Sequence, residues 1–323
     1  MKICVVGCGA LGSFYGAKLS RAGQEVHFLL RSDYEVVRRK GVWVRSPEGD
    51  FHVNPKCART PQEVGRVDLV LIGLKSTANS ELPRLLTPIV DPATTVLTLQ
   101  NGLGNEECLA RLFPSEQIMG GLCFVCLNRV ESGLIHHIDH GRVVLGEFRR
   151  WPEPRTHDIA SMFRHAGIPC KVAVNLATAH WEKLVWNIPF NGLGVASCAG
   201  LDAVRSGAIQ SGAEKGACLT TDQLLANPGW ESLIRELMGE VITAARAIGY
   251  DLGEQLVELN ISRTRSMGPY KASTLVDFER GQPLELEALF LEPHRQARQA
   301  GAETPRLEAL CSILQQLNPV ANI

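Results

Sequence analysis

The sequence predicts an α/β fold, with an N-terminal Rossmann-type parallel sheet and a C-terminal all-helical domain. Three observations carry this. A glycine-rich turn, "VVGCGALGSFYG" at residues 5–16, sits directly behind an apolar run that starts at the second residue. Through the first half, short β-branched runs alternate with helical patterns, the rhythm of a parallel sheet covered on both faces. From about residue 177 the strand signals stop and helical periodicity takes over. The expected division is a dinucleotide-binding domain at 1–172 and a helical substrate and catalytic domain at 173–323. Two domains also suit 323 residues with a 45% hydrophobic fraction.

Taken in order, "KICVVG" predicts the first strand, residues 11–22 a helix and "EVHFLL" the second strand. "GVWVRSPEGDFHV" alternates apolar and polar residues around a Pro-Glu-Gly-Asp turn, which predicts an inserted hairpin. "VDLVLIGL" and "TVLTLQNG" are further strands, and "GLIHHIDHGRVVLGEF" predicts a strand pair. The polar, proline-rich "RRWPEPRTHD" marks a return to the surface before a helix. Beyond it, helices are expected over 180–196, 230–248, 253–265, 284–301 and 306–317. No internal repeat or low-complexity segment interrupts them.

Charge is nearly balanced, with 33 basic and 34 acidic residues and no basic stripe. This argues against nucleic acid or an anionic membrane surface as partner and favours a small molecule. The ten cysteines are scattered, several inside apolar stretches such as "GGLCFVCL", as expected of reduced thiols in a cytoplasmic protein. Cys123 and Cys126 form the one C-x-x-C, without the second pair that a zinc site needs, and no metal is expected. No charged leader or membrane-spanning apolar stretch is evident in the sequence.

A lone G-x-G-x-x-G can be a plain strand-to-helix turn. Here its place behind a strand and before a helix points to a dinucleotide. Gly7 permits the tight turn, Gly9 lets the backbone approach a pyrophosphate, and Gly12 with Gly16 lets the helix pack on the sheet. At the end of the second strand, where an acid would hold the ribose hydroxyls of NAD, stands Arg31. An arginine pairs with a 2′-phosphate, so NADPH is the expected cofactor; the alternatives are a solvated surface arginine and a salt bridge from Arg31 to Asp33. Lys75 in "LIGLKSTAN", and Gln100 and Asn101 in "LTLQNGLGNEE", come off the carboxyl ends of two more strands, where ligands bind in open α/β sheets.

In "HWEKLVWNIPFNG", Lys183, Asn187 and Asn191 are spaced i, i+4, i+8, a cation and two amides along one helical face if Pro189 only kinks the helix. They alternate with Trp181, Leu184, Trp186, Ile188 and Phe190, so the stripe is expected to face a cleft rather than open solvent. Lysine, ordinarily protonated at neutral pH, suits proton donation to a carbonyl being reduced. His180, three residues earlier, is the rival acid. His136, His137 and His140 alternate faces along a strand and predict a surface hairpin, not a metal site.

With these stretches the chain resembles the ketopantoate reductase family, a branch of the 6-phosphogluconate dehydrogenase-like superfamily. The resemblance spans essentially the whole chain and rests on "GCGALG" with Arg31 behind it, "LKSTAN", "LQNGLGNEE", "WEKLVWNIPFN" and "YKASTLVDFERGQPLELEAL". It implies NADPH-dependent reduction of ketopantoate to (R)-pantoate. Lys183 would then be the general acid and Glu285 the holder of a substrate hydroxyl, with Asn101, Asn187, Asn191 and Ser273 shaping the substrate pocket. Gly7, Gly9, Ala10, Leu11, Gly12, Arg31, Lys75 and Asn101 would serve the cofactor. The chain departs from the family pattern at Thr274, at Leu291 and in "VASCAGLD", which lacks a further asparagine. These changes leave the catalytic residues intact and bear on the pocket's outer wall. A reductase of another branched 2-keto acid and a non-catalytic NADP(H)-binding sensor are the alternatives, against the second of which Lys183 and Glu285 argue. The chemistry is expected in a cleft between the domains, and a homodimer is compatible with the sequence.

Overall fold

The computed structural model describes residues 1–212 and 214–318. The chain forms two compact units, Met1–Ala177 and Thr178–Ile323. The strands of the first unit are β1 Lys2–Val6, β2 Glu25–Leu29, β3 Val42–Arg45, β4 Phe51–Val53, β5 Lys56–Ala58, β6 Leu69–Ile72, β7 Thr95–Thr98, β8 Ile118–Glu131, β9 Leu134–Glu147 and β10 Cys170–Val172. Six of them run parallel in the order β5-β2-β1-β6-β7-β8. This is the doubly wound arrangement, in which the chain reverses its direction of travel across the sheet at β1. The carboxyl ends of β1 and β6 therefore border the switch point where such sheets bind ligands.

Side chains alternate across this sheet as a period of two requires. Ile3 and Val5 of β1, with Leu69 and Leu71 of β6, pack on one face with Phe14, Tyr15 and Phe163. Cys4 and Val6, with Val70 and Ile72, pack on the other with Leu82, Leu86 and Ile89. Both faces are buried, which is why these strands read as unbroken apolar runs.

The inserted hairpin is present as β3 and β4, antiparallel from Val42↔Val53 to Val44↔Phe51. It joins the sheet through β9, alongside which β3 runs parallel. The strand pair expected across residues 133–148 is instead a single strand, β9, antiparallel to β8 from Met119↔Glu147 to Glu131↔Leu134. His140-Gly141, which resembles a turn in sequence, is a bulge. His140 has φ +66° and Gly141 φ +121°, and the register skips Gly141 opposite Phe124 and Val125. The bulge also corrects the surface assignment of the histidines, because His137 is buried. Its Nε2 lies 3.0 Å from the His140 carbonyl and so carries the proton, leaving Nδ1 to accept from Ser46 Oγ at 2.8 Å.

In the second unit the helix Leu176–Ala196, which begins at the end of the first, runs through Pro189 without ending. The central helix Pro228–Ile248 packs against Thr221–Ala226, Gln255–Arg265, Glu292–Gln299 and Pro305–Leu317. Its ends follow directly from sequence. The Asn227 side chain accepts from the amides of Gly229 and Trp230, Pro228 occupies the first turn, and Gly249 ends the helix at φ +105°. Leu201–Ser206, Thr221–Ala226 and Ser273–Glu279 are helices the sequence does not predict, being too short to display a period. No helix among the described residues is long and apolar enough to cross a membrane.

The first unit encloses one carboxylate completely. Glu147, at the end of β9, has a fully buried side chain that accepts from Arg155 Nε at 3.1 Å, from Arg155 Nη2 and from the Thr156 hydroxyl. Removing one partner of such a pair strands the other charge. Arg155→Ala is expected to destabilise the protein by about 3 kcal/mol, and replacing both partners by apolar residues to recover most of it. Urea unfolding midpoints check both.

Candidate functional site

The candidate cofactor site of the first unit begins where β1 stops. Gly7 has φ +94°, and a Cβ there would lie 2.3 Å from the Leu74 amide nitrogen. One on Gly12 would lie 2.2 Å from the Gly7 carbonyl oxygen, and one on Gly16 would strike the Phe28 ring at 2.6 Å. At Gly9 nothing comes within 4 Å. Three glycines are thus taken up by packing, and the fourth opens outward. The helix Ala10–Arg21 that follows has no side-chain cap and no acidic residue in its first turn, while Lys18 and Arg21 sit in its last. Its first amides, at Ala10, Leu11 and Gly12, are among those with no partner inside the helix, and its positive end is unopposed, as a pyrophosphate requires. Gly73, which the sequence does not single out, belongs here too, since a Cβ on it would press on the Gly12 backbone at 2.9 Å.

Arg31, just past β2, is exposed and makes no hydrogen bond or ion pair among the described residues. The alternative of a bridge to Asp33 is answered by the structure. Asp33 is paired with Arg129 at 2.8 Å and also accepts from Ser132 and Ser32.

Lys75 is exposed at the N-terminus of the short 3₁₀ turn Ser76–Glu81 behind β6, and Asn101 is half-buried behind β7. Gln100 proves to be a brace. Its side chain is buried, accepts from the Thr98 hydroxyl at 2.9 Å and donates to Asn79 Oδ1 at 2.7 Å. Asn79 donates in turn to Asn105 at 3.0 Å, and Asn105 to the Asn101 carbonyl at 3.0 Å. This run of amides ties the turn carrying Lys75 to the loop carrying Asn101. Sequence reasoning missed Asn79 and Asn105, although both lie inside the stretches it singled out.

In the second unit, Lys183, Asn187 and Asn191 lie on one continuous helix, where successive members of the stripe are rotated by about 40°. Lys183 is half-buried, while Asn187 and Asn191 are 6% and 3% exposed. The Asn191 carbonyl oxygen accepts from Ser273 Oγ at 3.3 Å, Thr274 Oγ1 at 3.0 Å and the Thr274 amide at 3.2 Å. It thereby holds the N-terminus of the helix Ser273–Glu279 and brings Ser273 to the stripe. The Asn187 side chain makes no hydrogen bond among the described residues, and it is not among their fully enclosed unpartnered atoms, so solvent still reaches its amide. An amide that solvent reaches and no protein group holds is available to recognise a ligand. Glu285 is buried just ahead of the π-helical turn Glu287–Leu291, an irregularity frequent at functional sites. That turn packs on the same long helix, since a Cβ on Gly192 would meet Phe290 at 3.0 Å. His180 is buried one turn before Lys183.

No group of three or more His, Cys, Asp or Glu among the described residues is placed to hold a metal ion. None of the ten cysteines forms a disulfide among the described residues. Burial pushes Cys4 and Cys311 up to about 12 and Cys170 up to about 11, as for unreactive packing groups.

Comparison with known proteins agrees along the chain. Residues 3–150 match the family model described as ketopantoate reductase PanE/ApbA, and residues 217–318 match that of its C-terminal domain. A 2-dehydropantoate 2-reductase of Nostoc sp. is 38% identical over 98% of this chain and 95% of its own. The crystal structure of 2-dehydropantoate 2-reductase from Geobacter metallireducens superposes with a TM-score of 0.89 at 44% identity, covering 98% of this chain and 99% of that one. The corresponding structure from Methylococcus capsulatus gives 0.85 at 35% identity, over 98% and 96%.

The contrast between Gly7 and Gly9 gives a direct test. Gly7→Ala adds a Cβ against backbone at positive φ and is expected to cost at least about 2 kcal/mol of stability. Gly9→Ala meets nothing and should leave the thermal midpoint nearly unchanged while weakening dinucleotide binding. Thermal unfolding with and without NADPH separates the two effects.

Proposed function

The chain belongs to the ketopantoate reductase family, and from that premise we propose that it reduces 2-dehydropantoate to (R)-pantoate with NADPH. One observation carries the assignment. Beside a half-buried lysine, the amide of Asn187 has no hydrogen-bond partner among the described residues on the same helical face.

The residues present fit NADPH. The glycine turn leaves the Ala10, Leu11 and Gly12 amides to the pyrophosphate, with Gly9 giving the clearance and Gly7 and Gly12 the tight fold beneath. Arg31, with no ion pair among the described residues, would take the 2′-phosphate, and Lys75 and Asn101 would complete that side of the site. When bound, NADPH supplies the hydride. The protein's task is to orient the 2-keto acid and to manage the charge that builds on its carbonyl oxygen. Lys183 donates a proton to that oxygen, and Asn187 hydrogen-bonds the substrate. Asn191 fixes Ser273 as a further substrate contact, and Glu285 accepts from the substrate's terminal hydroxyl. We assign the enzyme to the cytoplasm, because ten cysteines with no disulfide among the described residues suit a reducing compartment. Sedimentation would establish whether it works as a homodimer.

Adding ketopantoate should remove the NADPH absorbance in the presence of the protein, which a cofactor-binding sensor would not do. Lys183→Ala should lower kcat by about 10²–10⁴ with NADPH still bound, and His180→Ala by much less. The reverse order would make His180 the proton donor.

Glu285 tests the substrate. The bond from that hydroxyl to a carboxylate is one the hydroxyl-free acid cannot make, so kcat/KM should favour ketopantoate over 3,3-dimethyl-2-oxobutanoate by roughly ten- to a hundredfold. Glu285→Ala should erase most of that ratio. An unchanged ratio, or a preference for the hydroxyl-free acid, would point to another 2-keto acid.

A further inference from the structure

Building on the assignment of NADPH, we propose that Arg129 is a cofactor-specificity residue that acts through Asp33. By holding this carboxylate it keeps Arg31 available to the 2′-phosphate. In dinucleotide-binding sheets a carboxylate near the end of the second strand accepts from the ribose hydroxyls and selects the cofactor without a phosphate. The turn after β2, "RSD", still contains a carboxylate, two residues past Arg31.

This carboxylate is sequestered. Asp33 is 6% exposed. Its Oδ2 accepts from Arg129 Nη1 at 2.8 Å, and its Oδ1 accepts from Ser132 Oγ at 3.1 Å and Ser32 Oγ at 2.9 Å. Arg129 and Ser132 come from the tip of the β8–β9 hairpin, far along the chain from β2. The arrangement has two consequences. The negative charge that would repel a dianionic phosphate is neutralised by a charge-assisted bond. Arg31, close enough along the chain to reach Asp33, has no vacant carboxylate to pair with. Without Arg129 the acid is left seeking a cation, and Arg31 has no ion pair of its own to prevent it from responding.

Dissociation constants for NADPH and NADH, read from tryptophan fluorescence and checked by calorimetry, test this without turnover. Wild type should bind NADPH more tightly than NADH, and Arg31→Ala should remove the difference. If either result fails, the cofactor assignment falls, and this proposal with it. With both in place, Arg129→Ala should weaken NADPH about two- to fivefold, the range of a partly exposed charge pair, and leave NADH unchanged. Arg129→Ala combined with Asp33→Asn should restore NADPH binding, because the released charge is then gone. Equal loss for both cofactors would make Arg129 a mere support of the loop. A double variant as weak as the single would make it a direct phosphate contact. Either outcome, or an unchanged NADPH constant in Arg129→Ala, overturns the proposal.

Discussion

The first unit is organised around a contact between backbones. The Gly7 carbonyl, the Gly12 backbone and the Gly73–Leu74 peptide meet at distances that leave no space for a Cβ at residues 7, 12 or 73. That contact seats the start of the first helix against the end of β1 and brings the end of β6 beside it. The open position at Gly9, the uncapped helix start and the loop leading to Lys75 all take their places from it. A side chain at any of the three positions would push the helix away from the sheet, and the uncapped helix start would move with it.

Around this dry contact the strand ends are braced by polar groups that face one another rather than a ligand. The amide run from Thr98 through Gln100, Asn79 and Asn105 to the Asn101 carbonyl uses side chains whose donors and acceptors match in sequence. Asp33 is treated similarly, with Arg129 and two serines around one carboxylate. In both places the residues proposed to meet the cofactor, Lys75, Asn101 and Arg31, are exposed or half-buried, and their neighbours are held by hydrogen bonds. Rigidity around a few outward groups lowers the ordering cost of binding. The second unit repeats this division, with Asn191 spending its oxygen on Ser273 and Thr274 while Asn187 stays open.

Much of this was legible in the sequence. The parallel sheet, the glycine turn, the inserted hairpin, the long helices and the Lys183–Asn187–Asn191 face follow from period, turn chemistry and spacing alone. What escaped notice depends on tertiary contact. Gln100 and Asn101 are adjacent amides of the same kind, and only the position of Asn79 distinguishes the brace from the outward residue. Arg31 and Asp33 look like a local ion pair until Arg129, distant in sequence, claims the acid. His140-Gly141 has the composition of a turn, and it becomes a bulge because β8 continues alongside it. Helices of six or seven residues leave no periodic trace to read.

Strand β9 serves two neighbours on one side, β3 through residues 134–136 and β10 through residues 143–145. This sets a timetable for the chain as it leaves the ribosome. Residues 42–53 can turn back on themselves early, but they have no sheet to join until β9 has been synthesised, and β9 stays unfilled until residues 170–172 follow. The early hairpin therefore waits through most of the first unit's synthesis with an open edge. Such an edge is a natural target for chaperones, and for pairing between neighbouring nascent chains. Trp43 and His52, stacked on the exposed side of that hairpin with ring centroids 4.7 Å apart, give the waiting strands a cross-strand clasp of their own.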